Sequence, residues 1–166
     1  FAIEGNKAVV YEVNSETDFV AKNEKFIHIV NELGQAILKS DATNTEEALK
    51  AVYNGNTIEQ MLVNATATIG EKISLRRVNV FTKTDNQVFG AYSHMQGKIV
   101  VLSILDGANE QVAKDVCMHV AAMSPKFLDI NEVDPAEMEK EKEIFKQQSL
   151  NEGKPLNIVE KMVVGK

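Results

Sequence analysis

The chain has little cysteine and few bases. Of 166 residues one is a cysteine, Cys117. A single thiol cannot build an intrachain disulfide framework, which points to a reducing compartment. No apolar run approaches the ~18 residues a membrane-spanning helix needs, and no secretory signal is visible. The expected location is therefore cytoplasmic. Acids outnumber bases 24 to 18, for a net charge of -6. The longest basic cluster is the pair Arg76-Arg77. Nucleic-acid surfaces need clustered Lys and Arg to displace counterions, so neither nucleic acid nor a membrane is an expected direct partner. A glycine-rich phosphate loop is also missing: "ATIGEKI" and "NEGKP" each set Gly near Lys, but without P-loop spacing. His28, His94 and His119 lie far apart, and none stands at metal-ligand spacing from Cys117 or another histidine. No metal or other cofactor is implied.

What is present is an ordinary globular composition, 44% hydrophobic and 25% charged. The length suits one medium domain or two small ones. "FAIEGNKAVV" opens without Met and already reads as a strand, and "VEKMVVGK" stops without a closing element; both suggest a piece of a longer protein.

Periodicity gives the elements. "FAI" and "KAVVYEV" flank the turn signal Glu4-Gly5-Asn6 and predict a hairpin. From Phe19 the period becomes helical, with Phe19, Phe26, Val30, Leu33 and Ile37 on one stripe. Ser15 with Asp18, or Thr17, can cap that helix. Asn44 starts a short helix over "TEEALKAVY", ended by "NGN". The next helix runs from Thr57 to a stop at Gly70, with Ile58, Met61, Leu62, Ala65 and Ile69 on one face. In the strand "KISLRRVNVF", apolar residues change sides between Leu75 and Val78, which suggests a bulge or burial on both faces. A second hairpin, "QVFGAYSH" and "KIVVLSIL", turns at Met95-Gln96-Gly97. Asn109 caps a helix with Val112, Val116 and Val120 on one stripe and Ala113, Cys117 and Ala121 beside it. Asp134-Pro135 with Glu137 marks a further helix start. After Gly153, Pro155 opens the last helix.

Two segments are alike. "KAVVYEVNSETDFVAKN" (7–23) and "KIVVLSILDGANEQVAKD" (98–115) align with one extra residue in the second. Each runs from a lysine through an apolar strand and a loop into a helix carrying Val-Ala-Lys. The expected fold is α+β: two related subdomains, each a small antiparallel sheet covered by helices. The subdomains are expected at 1–83 and 84–166. The second lacks a counterpart of the strand at 74–82, as a truncated copy would.

Few residues carry chemistry. Cys117 lies among Val and Ala, where a thiol is a small core hydrophobe. His28 and His119 fall on helices and read as structural, and His94 as a solvated turn residue. Glu16 and Asp18, with one of the histidines and a metal, could form a small hydrolase, although no nucleophile or base joins them. Asp18-Phe19 has two readings. In one, Asp18 steadies a helix N-terminus and Phe19 packs in the core. In the other, the pair protrudes as an acid-aromatic finger aimed at a partner, since aromatics anchor interfaces. A buried Phe19 beside converging carboxylates would favour the hydrolase; an exposed Phe19 would favour the finger.

"EVNSETDFVAKNEKF" (12–26) resembles the signature of the elongation factor Ts family. "IGEKISLRRV" (69–78), "YSHMQGKIVVL" (92–102), "MHVAAMSPKFL" (118–128) and "EGKPLNIVEKMVVGK" (152–166) resemble further blocks of it, in the family's order. Members exchange guanine nucleotide on elongation factor Tu, the GTPase that delivers aminoacyl-tRNA. The resemblance implies the family's two-subdomain core, without its N-terminal helical module or later C-terminal segments. It implies that Asp18 and Phe19, next to Thr17, intrude beside the partner's magnesium and phosphate site. Ile69, Gly70 and His94 match positions that hold a helix of the partner's GTPase domain. The duplicate fits this, since Gln111 stands where the first copy has Phe19. No bond is made or broken in such an exchange, so an enzyme is not expected. Family members dimerise in some lineages, which adds a homodimer to the implied partners.

Overall fold

The computed structural model describes residues 1–164; the last two residues of the block at 152–166 lie outside the described residues. Two compact units are resolved, Phe1–Met123 and Ser124–Lys166. The repeat boundary at 84 falls inside the first of them.

The first unit begins with the expected hairpin, β1 (Ala2–Glu4) and β2 (Lys7–Asn14). A single helical turn, α1 (Asp18–Ala21), precedes α2 (Glu24–Lys39) and the short α3 (Thr45–Lys50). Next come the two-residue strands β3 (Val52–Tyr53) and β4 (Asn56–Thr57), α4 (Ile58–Ile69) and β5 (Ser74–Thr82). Strand β2 lies at the centre of an antiparallel sheet in the order β1-β2-β5. The apolar side switch in β5 is a bulge. Glu12 pairs with Arg77 and Val13 with Leu75, so Arg76 is the extra residue. Leu75 and Val78 are thereby both buried although three residues apart. The core lies between this sheet and the helices, around Val9, Phe26, Leu33, Ile37, Ile58, Leu62 and Ala65.

The same unit continues with β6 (Gln87–His94), β7 (Ile99–Asp106) and α5 (Glu110–Met123). β6 and β7 pair antiparallel along their whole length, from Gln87 against Asp106 to His94 against Ile99. Helix α5 packs on both strands. The α+β class is thus observed, with small antiparallel sheets covered by helices.

The second unit holds a 3-10 turn (Ile130–Glu132), α6 (Pro135–Asn151) and α7 (Leu156–Val164). Asp134 caps α6 and Pro135 occupies its first turn, as the sequence indicates. The helix reverses at Gly153, which has φ +80°, and α7 packs back on α6. No helix among the described residues is long and apolar enough to cross a membrane.

Three local expectations change. The helix over 45–53 stops at Lys50; Val52 and Tyr53 pair with Thr57 and Asn56, and Asn54-Gly55 forms the hairpin turn with both residues at positive φ. The buried stripe of α5 is Ala113 and Cys117, while Val112 is exposed. Small side chains win there because the helix rides close to β6: a Cβ on Gly90 would come within 2.3 Å of the Ala113 carbonyl oxygen. Finally, the helix expected from Phe19 is broken after Ala21, and Phe19 is not on the core stripe.

Candidate functional site

The break has a local cause. Lys22 and Asn23 close α1 with backbone bonds that span three residues instead of four, Lys22 N–H to the Phe19 carbonyl and Asn23 N–H to that of Val20. The Asn23 side chain then accepts from Lys25 N–H at 2.8 Å and caps α2. A short polar side chain competes for backbone groups in this way and starts a new helix. α1 is left as a one-turn projection with no buried residue. Phe19 is 82% exposed at its tip, far more than a phenyl ring needs for packing.

Thr17, rather than Ser15, caps this turn: its hydroxyl accepts from Val20 N–H at 3.4 Å. Ser15 Oγ instead donates to the Thr17 carbonyl at 3.0 Å. Asp18 stands in the first turn, where a carboxylate suits the helix dipole. Lys22 donates to Asp18 Oδ2 at 3.2 Å. That contact, with a further attraction to Lys98, holds the Asp18 carboxyl below its ordinary value. Asp18 is therefore an anion with some acceptor capacity left over. Both partners of the pair are solvent-exposed, so the pair orients more than it stabilises.

A turn that is distant in sequence meets the finger. α4 ends at Gly70, whose φ of +83° requires the left-handed region, and its N–H bonds the Thr66 carbonyl at 2.9 Å. Ile69 is half-buried at the edge of the core. The next residue, Glu71, reaches the finger's base. Its Oε2 accepts from Glu16 N–H and Thr17 N–H at 3.2 and 3.0 Å, and its Oε1 accepts from the Thr17 hydroxyl at 2.6 Å. The structure thus joins the base of the finger at Thr17 to the turn that follows Ile69 and Gly70.

His94 closes strand β6 and is exposed. Its Nδ1 lies 3.1 Å from the Tyr92 hydroxyl, and the two rings stack at 6.0 Å. When that hydroxyl donates, the imidazole proton sits on Nε2. The turn after His94 borders a groove of about 1060 Å³, lined among others by Val13, Lys22, Phe26, Met95 and Lys98. The α1–α2 junction forms the facing wall, and Asp18 feels the Lys98 charge from there. His94 therefore belongs to the same side of the unit as the finger without touching it.

The hydrolase arrangement needed a buried Phe19 and converging acids. Phe19 is exposed, and Asp18 turns to Lys22. Among the described residues no three His, Cys, Asp or Glu side chains gather closely enough to hold a metal ion. Sequence reasoning missed Glu71, Lys22 and Lys98. Lys22 was legible as the i,i+4 partner of Asp18. Glu71 was not, since its partners lie 54 and 55 residues away.

The family model for elongation factor TS matches residues 16–166. The match begins at Glu16, at the base of the finger, and covers most of the first compact unit and all of the second.

Proposed function

This chain belongs to the elongation factor Ts family of translation elongation factors, and on that footing we propose that it binds elongation factor Tu carrying GDP and promotes GDP release. Asp18 and Phe19 enter beside the partner's magnesium and phosphate site, where an anion and a ring disturb the shell that holds the metal. Ile69, Gly70 and His94 hold a helix of the GTPase domain in a displaced position. The observation that carries this reading is Phe19, 82% exposed on a capped helix tip.

Magnitudes favour shared work. Burying one Phe contributes about 1.5–3 kcal/mol, or roughly 10- to 100-fold in an equilibrium constant. A tightly held nucleotide needs more than that, so the helix grip must contribute too. Exchange is then a coupling free energy. The factor binds the nucleotide-free partner more tightly than the loaded one, and an incoming nucleotide expels the factor by the same coupling. No covalent step occurs, and the chain acts as a binding protein rather than an enzyme.

The test is release of labelled GDP from elongation factor Tu on adding this chain. Acceleration is expected. Asp18→Ala with Phe19→Ala should reduce it by at least about 10-fold, with the circular dichroism spectrum unchanged. Release as fast as with the parent chain would rule out the finger.

A further inference from the structure

We propose that Glu71 is a positioning residue that locks the Asp18-Phe19 finger to the Ile69-Gly70 turn, so that both meet the partner as one preformed body. The inference rests on the exchange reading above and extends it to a residue outside the set proposed to meet the partner.

The finger needs an external anchor. α1 has four residues, too few to persist as an isolated helix. Val20 and Ala21, at its C-terminal end, pack against the core. Asp18 and Phe19, at the tip, are exposed. The Lys22–Asp18 pair lies within the same turn and is exposed, so it cannot fix the turn against the rest of the unit.

Glu71 does so with both carboxylate oxygens. Oε2 takes the N–H groups of Glu16 and Thr17, two consecutive donors that would otherwise face water at the helix start. Oε1 takes the Thr17 hydroxyl proton at 2.6 Å, the short distance of a charge-assisted bond. A hydroxyl has one proton and two lone pairs. With the proton held by Glu71, a lone pair is directed at Val20 N–H, so Glu71 sets the cap itself. The acid follows Gly70 directly, so the same few atoms fix where the α4 turn stands relative to the tip. Ordering the tip before binding removes an entropy cost from the encounter.

The experiment compares the parent chain with Glu71→Ala, Glu71→Gln, the Asp18→Ala/Phe19→Ala pair and the triple variant, in the labelled-GDP release assay at subsaturating factor. Glu71→Ala should slow exchange about tenfold, the scale of one charge-assisted hydrogen bond. Glu71→Gln should retain most of the activity, because its carbonyl can take the two N–H groups while its amide donates to the Thr17 oxygen. In the finger-less background, Glu71→Ala should add less than about twofold, since no tip remains to be positioned. A purely structural role would reduce exchange by the same factor in both backgrounds. Thermal melting accompanies each variant; if Glu71→Ala melts early, the assay is run at a temperature where every variant is folded, and the ratio of its effect in the two backgrounds decides. Parental exchange by Glu71→Ala, or full additivity with the finger pair, overturns the inference and leaves the exchange reading intact. A parent chain that does not speed release removes both.

Discussion

The two strand-loop-helix copies in the first unit share a cap and then diverge. In the first, Thr17 accepts from Val20 N–H; in the second, Asn109 accepts from Val112 N–H at 2.9 Å, at the aligned position. After the cap, α1 lasts one turn and the chain restarts at Asn23, whereas α5 runs unbroken from Glu110 to Met123. Where the first copy bares Phe19, the second has Gln111, whose amide donates to Asp115 in the next turn at 2.8 Å. Packing differs as well. The first copy fills its core with Leu33 and Ile37, both fully buried, and seats the Tyr11 ring against Gly34. The second brings helix and strand close through Gly90, Ala113, Cys117 and Ser103. The same framework thus closes on itself in one copy and offers a helix tip in the other. The tip is available because the break at Asn23 takes Asp18 and Phe19 off the core-facing stripe.

Three substitutions break or sharpen this contrast. The largest effect is expected from Gly90→Ala in the second copy. Its new Cβ would meet backbone at 2.3 Å, which no rotamer change relieves. A loss of about 3 kcal/mol, the upper part of the overpacking range, is expected in urea unfolding. A neutral result would mean that α5 can shift on its sheet and that the close approach is not what distinguishes this copy.

Next is Tyr11, whose aligned residue in the second copy is Leu102. Burial pushes the Tyr11 hydroxyl up to about 12. In the unfolded chain a phenol titrates near ~10. Between those values the unfolded state releases a proton that the native state keeps, so stability is complete below about pH 10 and falls as pH rises toward 12. Tyr11→Phe should lose that part of the alkaline decline, on the order of 2 kcal/mol across the interval. Urea midpoints at pH 9 and pH 12 for parent and variant measure it; equal declines would place the alkaline sensitivity elsewhere.

The smallest effect on stability should come from Phe19→Ala. An exposed ring contributes little to the fold, so unfolding should change by no more than about 0.5 kcal/mol, while the proposed function expects nucleotide release to fall. Destabilisation of about 3 kcal/mol or more, as for a buried Phe, would return Phe19 to the core and remove the contrast with Gln111.

Much of the framework was legible beforehand. The hairpin turns at Gly5 and Gly97, the caps at Asn109 and Asp134, the helix start near Thr57 and the Gly70 stop all rest on local backbone chemistry that a few neighbouring residues decide. A bulge was one of two readings of the side switch between Leu75 and Val78, because burial forces apolar residues to one face and a parity change needs an extra residue; pairing places it at Arg76. Legibility failed where a choice depended on distant contacts. Val112 and Ala113 begin equally periodic stripes on α5, and only the proximity of Gly90 selects the small one. Likewise Val52 and Tyr53 continue a helical pattern, yet pairing with Asn56 and Thr57 turns them into a strand.

The sequence by itself determined the α+β class, the repeat and the family resemblance, and that resemblance supplies Thr17, Asp18, Phe19, Ile69, Gly70 and His94 as candidates. All of these live in local order along the chain. Only the tertiary structure decided that Phe19 is exposed, since helical spacing places it on the same stripe as Phe26 and Leu33 until Asn23 breaks the helix. Only the tertiary structure, too, joined Glu71 to Thr17. Hydrogen bonds form between groups about 3 Å apart in space, and no local pattern records which residues, 54 positions apart, the folded chain will bring that close.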